Sequence, residues 1–256
     1  MIFSLNLSSH KSFVILANMI IKKNDPIGQA IHHFHYNNDD TPLIVNSNIT
    51  EGEVLPVSHF FRTYDKMPLL EKKAMSMVKG KVLDVGAGAG SHSFYLQENG
   101  FDVTAIDISE LSCEVMRNKG LLKVICSDIW TIESKPFDTL LFMMNGIGIV
   151  KNLDGLNLFF HYIKKFVTPN GQLILDSTDI KYMFEDHHEF LSKKSRKDYY
   201  GVLEYYISYK HFKGNPFCWL FVDFNRLKAT ANSAGWNVDL IHKTSNDHYL
   251  AKLVFK

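Results

Sequence analysis

Short apolar runs alternate with stretches of helical periodicity from Lys81 to the end of the chain. Val82-Leu83-Asp84-Val85 reads as a buried strand that enters a turn with glycines at 86, 88 and 90. Val103 to Ile106 is a second apolar strand, Val124 to Asp128 a third, Phe137 to Met143 a fourth and Gln172 to Asp176 a fifth. Helices fall between them. Phe94, Tyr95 and Leu96 belong to one that stops at Gly100, and Ser109 caps another, Glu110 to Lys119, that stops at Gly120. Leu156, Phe159, Phe160 and Ile163 share one face of a third, Leu153 to Val167, and Thr168 to Gly171 is a turn. Such alternation predicts a doubly wound, mostly parallel sheet with right-handed crossovers.

The ending breaks the alternation. A helix from about Asn225 to Ala234 stops at Gly235, and Trp236 to Lys243 and Leu250 to Phe255 then read as two strands. The six residues between them can make a hairpin but not a parallel crossover. One strand is therefore expected to run antiparallel in an otherwise parallel sheet.

The N-terminal third follows a different pattern. Phe13 to Ile21 is apolar over nine residues, well below the ~20 that span a bilayer. Its flanks lack the layout of a signal peptide. Met19 is the expected start, with residues 1–18 outside the packed protein. Residues 19–79 are expected to form a helical cap. Asp25 caps a helix with Pro26 in its first turn, and Ile27, Ala30, Ile31 and Phe34 share its apolar face. His32, His33 and His35 lie on that helix without a carboxylate or thiol at ligand spacing, so no metal is expected. A second helical stretch runs from Pro56 to Tyr64, and a third starts near Pro68 with Leu69, Leu70, Ala74 and Met77. Residues 80–256 form the core domain. It carries an insertion, 180–222, whose second half reads as an aromatic hairpin turning at Lys213-Gly214-Asn215-Pro216. An insertion leaving the fifth strand sits over the carboxyl edge of the sheet, where ligands bind.

Composition narrows the classes. The 256 residues are 46% hydrophobic and 13% aromatic, enough for a substantial core, and the net charge is +1. That balance demands neither nucleic acid nor an anionic membrane as partner. Cys113, Cys126 and Cys218 form no C-x-x-C pair and read as thiols of a reducing, cytoplasmic compartment.

The glycine turn supplies the chemistry. Backbone N–H groups there can approach a ligand at a helix N-terminus. Asp107, 21 residues after Gly86, stands where a doubly wound fold places a ribose-binding carboxylate. The spacing Gly86-x-Gly88-x-Gly90 differs from the G-x-G-x-x-G of dinucleotide enzymes. The strand also carries Asp84, of little use beside a pyrophosphate but suited to an ammonium. From Val82 to Gly90 the chain resembles the class I S-adenosylmethionine-dependent methyltransferases, whose motif reads apolar-Asp-apolar-Gly-x-Gly-x-Gly. The resemblance implies a seven-stranded sheet of order 3-2-1-4-5-7-6 with one antiparallel strand, an arrangement absent from a dinucleotide-binding half. It also implies S-adenosylmethionine as cofactor. Gly86, Gly88 and Gly90 would allow close approach, Asp107 would bind the ribose hydroxyls, Asp128 with Ile129 would hold the adenine, and Ile108 would be a further cofactor contact. Asp84 and Arg62 would hold the amino-acid end, with Met144 completing the set.

Methyl transfer by in-line displacement needs alignment and exclusion of water, and a base only for a poor nucleophile. Candidates on the acceptor side are Asn145 after the fourth strand, Asp176 and Asp179 after the fifth, and Tyr64 from the cap. Met143-Met144-Asn145-Gly146 is not the Asn-Pro-Pro-Tyr motif of amino-methylating enzymes. The expected function is methylation of a small molecule. RNA or protein methylation is the alternative, ahead of a nicotinamide-dependent oxidoreductase or a non-catalytic S-adenosylmethionine-binding protein.

Overall fold

The computed structural model describes residues 24–184 and 199–255. The expected N-terminal tail and the basic half of the insertion fall largely outside them. A mostly parallel sheet of seven strands forms the centre. Its members are β3 (Lys81–Val85), β4 (Asp102–Asp107), β5 (Val124–Cys126), β6 (Phe137–Phe142), β7 (Val167–Thr178), β11 (Trp236–Lys243) and β12 (His248–Phe255). Across the sheet they run β11-β12-β7-β6-β3-β4-β5. β12 is antiparallel to both neighbours, and the other pairings are parallel. The turn expected at 168–171 survives inside β7. Register shifts between the Phe137–Val167 and Thr139–Gln172 pairs, and Asn170 takes φ +67°.

Both faces of the sheet are covered, which is why β3 and β6 read as near-continuous apolar runs. On one face α5 (Leu153–Tyr162) and α6 (Phe224–Ser233) bury Phe159, Phe160 and Leu227 against Leu83, Leu140, Leu173 and Trp236. On the other, α2 (Leu69–Met77) and α3 (Ser91–Glu98) bury Leu70, Ala74 and Leu96 against Val82, Leu141, Ile174 and Leu250. At the β5 edge, α4 (Glu110–Asn118) packs Cys113 and Met116 against Ala105. The Cys113 thiol lies near Cys126, and burial raises it well above its ordinary value. No described helix is long and apolar enough to cross a membrane.

The N-terminal region is helical only in part. After α1 (Pro26–Asn37), capped by Asp25 through the Gly28 N–H at 2.7 Å, the chain makes a hairpin of β1 (Leu43–Ser47) and β2 (Glu53–Leu55). The stretch after Pro56 forms two short 3-10 turns, Val57–Phe61 and Tyr64–Lys66, instead of one helix. β1 pairs with β8 (Val202–Tyr209) of the insertion, and β9 (Phe212–Lys213) and β10 (Phe217–Leu220) line the other side of β8. A second, antiparallel sheet thus joins the N-terminal region to the insertion. The insertion turns at Lys210-His211, with Lys210 at φ +51°, and not at 213–216. Gly214 and Pro216 mark the break between β9 and β10. The sequence points to the later segment because Gly214, Asn215 and Pro216 are residues a turn favours, whereas Lys210-His211 holds none of them. His32, His33 and His35 face three different partners, Glu114, Tyr209 and Asn118.

Candidate functional site

The end of β3 is a tight turn built from Gly86, Gly88 and Gly90, with φ of +73°, +58° and +84°. Two of them meet close neighbours. A Cβ on Gly90 would stand 3.0 Å from Phe94 and 3.2 Å from Met116, and one on Gly88 3.5 Å from the Phe60 ring. The Gly88 N–H is already used. It donates to Asp107 Oδ2 at 2.8 Å, and Ser109 N–H donates to Oδ1 at 2.9 Å. Each carboxylate oxygen therefore keeps a free lone pair toward a donor such as a ribose hydroxyl. Burial pushes the Asp107 carboxyl up to about 6 against the pull of these two N–H groups. Ser109 also donates to Asp25 at 2.5 Å, which ties the start of α1 to the end of β4.

The neighbouring positions are divided. Ile108 is exposed beside Asp107 and offers an apolar face. Asp128 is exposed, with Oδ1 accepting from Trp130 N–H at 3.0 Å. The Ile129 side chain is buried in the core on the α5 side, so only its backbone can meet a ligand. Asp84 is buried under the turn, where it accepts from Ser93 Oγ at 2.6 Å. Burial raises its carboxyl, opposed by His92 and Ser93.

Arg62 has a different partner from the one its position suggested. It is only 6% exposed, and its Nη2 lies 2.6 Å from Glu71 Oε1 and 2.5 Å from Oε2. Nε donates to Glu71 Oε2 at 3.1 Å and Nη1 to the His59 carbonyl at 2.5 Å. His92, on α3 directly after the glycine turn, reaches Glu71 Oε2 at 2.8 Å. Four of the five Arg62 N–H donors are thereby engaged, which leaves a single Nη1 hydrogen and no bidentate fork for a ligand carboxylate. Burial pushes Glu71 up, but His92 and Arg62 outweigh it and leave the carboxyl below its ordinary value. This cluster locks the cap to the turn. Glu71 reads in sequence as one more exposed helix acid, so the pairing left no signal.

The ends of β6 and β7 form the second half of the site. Met144 and Asn145 both take left-handed conformations, φ +63° and +56°, an arrangement that persists only where surroundings enforce it. Asn145 is pinned from three sides. Its N–H donates to Asp176 Oδ1 at 3.0 Å, its side-chain oxygen accepts from Thr178 Oγ1 at 2.9 Å, and its carbonyl accepts from Trp219 Nε1 at 3.1 Å. The Trp219 indole lies against Gly148, where an added Cβ would fall 2.0 Å from Nε1. Strand β10 therefore roofs the end of β6, as Phe60 covers Gly88 on the other side.

The acceptor candidates separate accordingly. Asp176 is fully buried, so it has no surface to offer a substrate directly. Its Oδ2 lies 2.6 Å from His248 Nε2. Asp179 accepts from Tyr200 Oη at 2.6 Å and Lys181 N–H at 3.0 Å. It caps a turn and anchors the insertion. Tyr64 stacks on Tyr95 with centroids 4.2 Å apart. Sequence reasoning missed His248, Trp219 and Phe60. For His248 a signal existed: an antiparallel last strand begins at the carboxyl edge, and this strand starts two residues earlier than its apolar run.

A glycine turn facing a ribose-type carboxylate, at the edge of a sheet closed by an antiparallel β12, defines a class I methyltransferase. Comparisons with known proteins agree. A family model described as a methyltransferase domain matches residues 82–171. A methyltransferase of Bacteroides fragilis, solved with S-adenosyl-L-homocysteine, is 38% identical, with a TM-score of 0.84 over 92% of this chain and 97% of its own. A protein of Staphylococcus carnosus (strain TM300), described as an uncharacterized methyltransferase, is 26% identical over 66% of this chain and 75% of its own. The 23S rRNA (uracil(747)-C(5))-methyltransferase of Pyrococcus abyssi is 30% identical over 53% of this chain and 33% of its own. The chain belongs to the S-adenosylmethionine-dependent methyltransferases, and S-adenosylmethionine is the cofactor of that family.

Proposed function

We propose that this chain methylates a small-molecule acceptor seated at the carboxyl edge between the glycine turn and β12. The observation that carries this reading is the roof: Trp219 hydrogen-bonded to the Asn145 carbonyl, Phe60 over Gly88, and Tyr200 holding Asp179. An acceptor must fit beneath the chain's own aromatic side chains, which favours a compact molecule over a polymer. A net charge of +1 points the same way.

In this reading Asp107 accepts from the ribose hydroxyls, and Gly86, Gly88 and Gly90 let the backbone approach. Ile108 packs on the adenine, Asp128 and the Ile129 backbone hold its edge, and Met144 lies along the donor. Asp84 sets a negative charge beneath the amino-acid end without direct exposure. When bound, S-adenosylmethionine supplies a methyl group on a positively charged sulfur. Asn145 fixes the wall beside the acceptor, and the roof excludes water.

The test is transfer of a radiolabelled methyl group into a cell extract split into metabolite, protein and RNA pools. Label in the metabolite pool is expected. Label confined to RNA would favour the alternative that the Pyrococcus abyssi relative raises.

A further inference from the structure

We propose that His248, held by the buried carboxylate of Asp176, is the base that takes a proton from a hydroxyl acceptor. The inference rests on the methyl-transfer reading above and adds to it the acceptor's chemical class. Four observations carry it. β12 runs against β7, so its first residue, His248, lies at the carboxyl edge opposite Thr178. Asp176 is fully buried, and its two oxygens serve two partners: Oδ1 takes the Asn145 N–H at 3.0 Å and Oδ2 faces His248 Nε2 at 2.6 Å. One carboxylate thus fixes both the imidazole and the strained residue at the end of β6. The His248 side chain is 30% exposed while that of Asp176 is 1% exposed, so the pair is open on the histidine side.

The carboxylate decides the tautomer. With Oδ1 accepting from the Asn145 N–H and Oδ2 facing the ring, the carboxylate calls for hydrogen on Nε2, and Nδ1 presents its lone pair. Nδ1 has no hydrogen bond among the described residues. Charges close to His248 in the chain are the ion pair of Lys243, at the end of β11, with Asp247, on the turn, and Asp179, whose N–H bonds the Asp247 carbonyl. From α2, the groups near Leu250 are Leu70, Ala74 and Met75, all apolar.

A base so placed suits one class of acceptor. A thiol needs only the few per cent of strongly nucleophilic thiolate present near pH 7, carboxylates are ionised already, and a neutral amine attacks before it loses its proton. A hydroxyl is a poor nucleophile until its proton leaves. In the step proposed, the acceptor oxygen forms its bond to the methyl carbon as the carbon–sulfur bond breaks. That electron pair stays on sulfur, which becomes a neutral thioether. The hydroxyl proton passes to Nδ1 of His248, and Asp176 balances the imidazolium charge.

His248→Gln separates this role from a structural one. The glutamine amide can still donate to Asp176 but has no nitrogen that accepts a proton. The first measurement uses the ligand-free protein. Nitrogen-15 spectra of the imidazole, taken where the ring is neutral, should show hydrogen on Nε2 alone, and Asp176→Asn should mix the tautomers. The second measures S-adenosylhomocysteine affinity, expected within threefold of the parent for His248→Gln. The third follows labelled methyl from S-adenosylmethionine into extract and identifies the methylated atom. The expected product is an alkali-stable methyl ether, lost by at least about a hundredfold in His248→Gln. Label on nitrogen, sulfur, carbon or a carboxylate overturns the proposal. So does a glutamine variant that keeps more than a tenth of the rate, or hydrogen found on Nδ1. A hydroxyl methylated in RNA or protein would defeat the small-molecule reading alone.

Discussion

Removing the Glu71 carboxylate is expected to destabilise the protein severely. Glu71 is 5% exposed and faces Arg62, 6% exposed, through three hydrogen bonds, with His92 on the same oxygen at 2.8 Å. Glu71→Ala strands a guanidinium where water does not reach it. Breaking a buried pair from one side costs about 3–5 kcal/mol. At about 2–4 °C per kcal/mol for a domain of this size, the melting temperature should fall by about 6–20 °C. Replacing both partners by methionine should cost less than Glu71→Ala, because no charge is left unpaired. The pH dependence has a fixed sign. The folded carboxyl lies below its ordinary 4.5, so its contribution is complete above that value and fades as pH falls through the folded value. The gap between parent and Glu71→Ala should therefore narrow in acid. Thermal melts at pH 7 and pH 3.5 check both points. A single variant within about 1 kcal/mol of the parent would refute the reasoning, as would a double variant at least as unstable as the single. The double variant should also bind S-adenosylhomocysteine within threefold of the parent. A loss beyond tenfold would return Arg62 to the cofactor.

Three further outcomes are expected. Asp107→Asn should weaken S-adenosylhomocysteine by about 1.5–3 kcal/mol. Because the free carboxyl sits near 6, parent affinity should fall below that pH while the asparagine variant stays flat, as calorimetry across pH 5–8 would show. Gly88→Val should abolish cofactor binding, since φ of +58° and the Phe60 ring leave no room for a branched side chain; normal affinity would place the turn away from the ligand. Trp219→Phe removes the donor to the Asn145 carbonyl and should cost about 1 kcal/mol of stability. It should lower turnover while sparing cofactor affinity, and equal losses in both would argue against a roof over the acceptor alone.

The sheet was legible because its signals are local. Strands buried on both faces are written as apolar runs, and the six-residue link before Leu250 forces a hairpin whatever the packing. The glycine turn was legible because positive φ at 86, 88 and 90 restricts residue choice. What stayed hidden is pairwise and distant. Nothing local tells that Arg62 turns to Glu71, that β1 finds β8, or that Asp176 is a support for His248 72 residues later. Ile129 shows a subtler limit. Position in a motif gives the backbone's place, but the side chain went to the core because the facing helix supplied an apolar wall.

The pairing of β1 with β8 sets a timetable for synthesis. Ile44 lies opposite Ser208, so one hydrogen-bonding edge of the N-terminal hairpin waits while roughly 160 further residues are made. At about 5–20 residues per second that wait is on the order of ten to thirty seconds. Throughout it an unpaired strand edge is exposed to other nascent chains. The central sheet has meanwhile received β3 to β7, and the second sheet closes among the last events before the final hairpin emerges. A ribosome stalled between β7 and β8 would therefore hold a chain whose glycine turn is complete and covered by Phe60, while the end of β6 still lacks Trp219 above it.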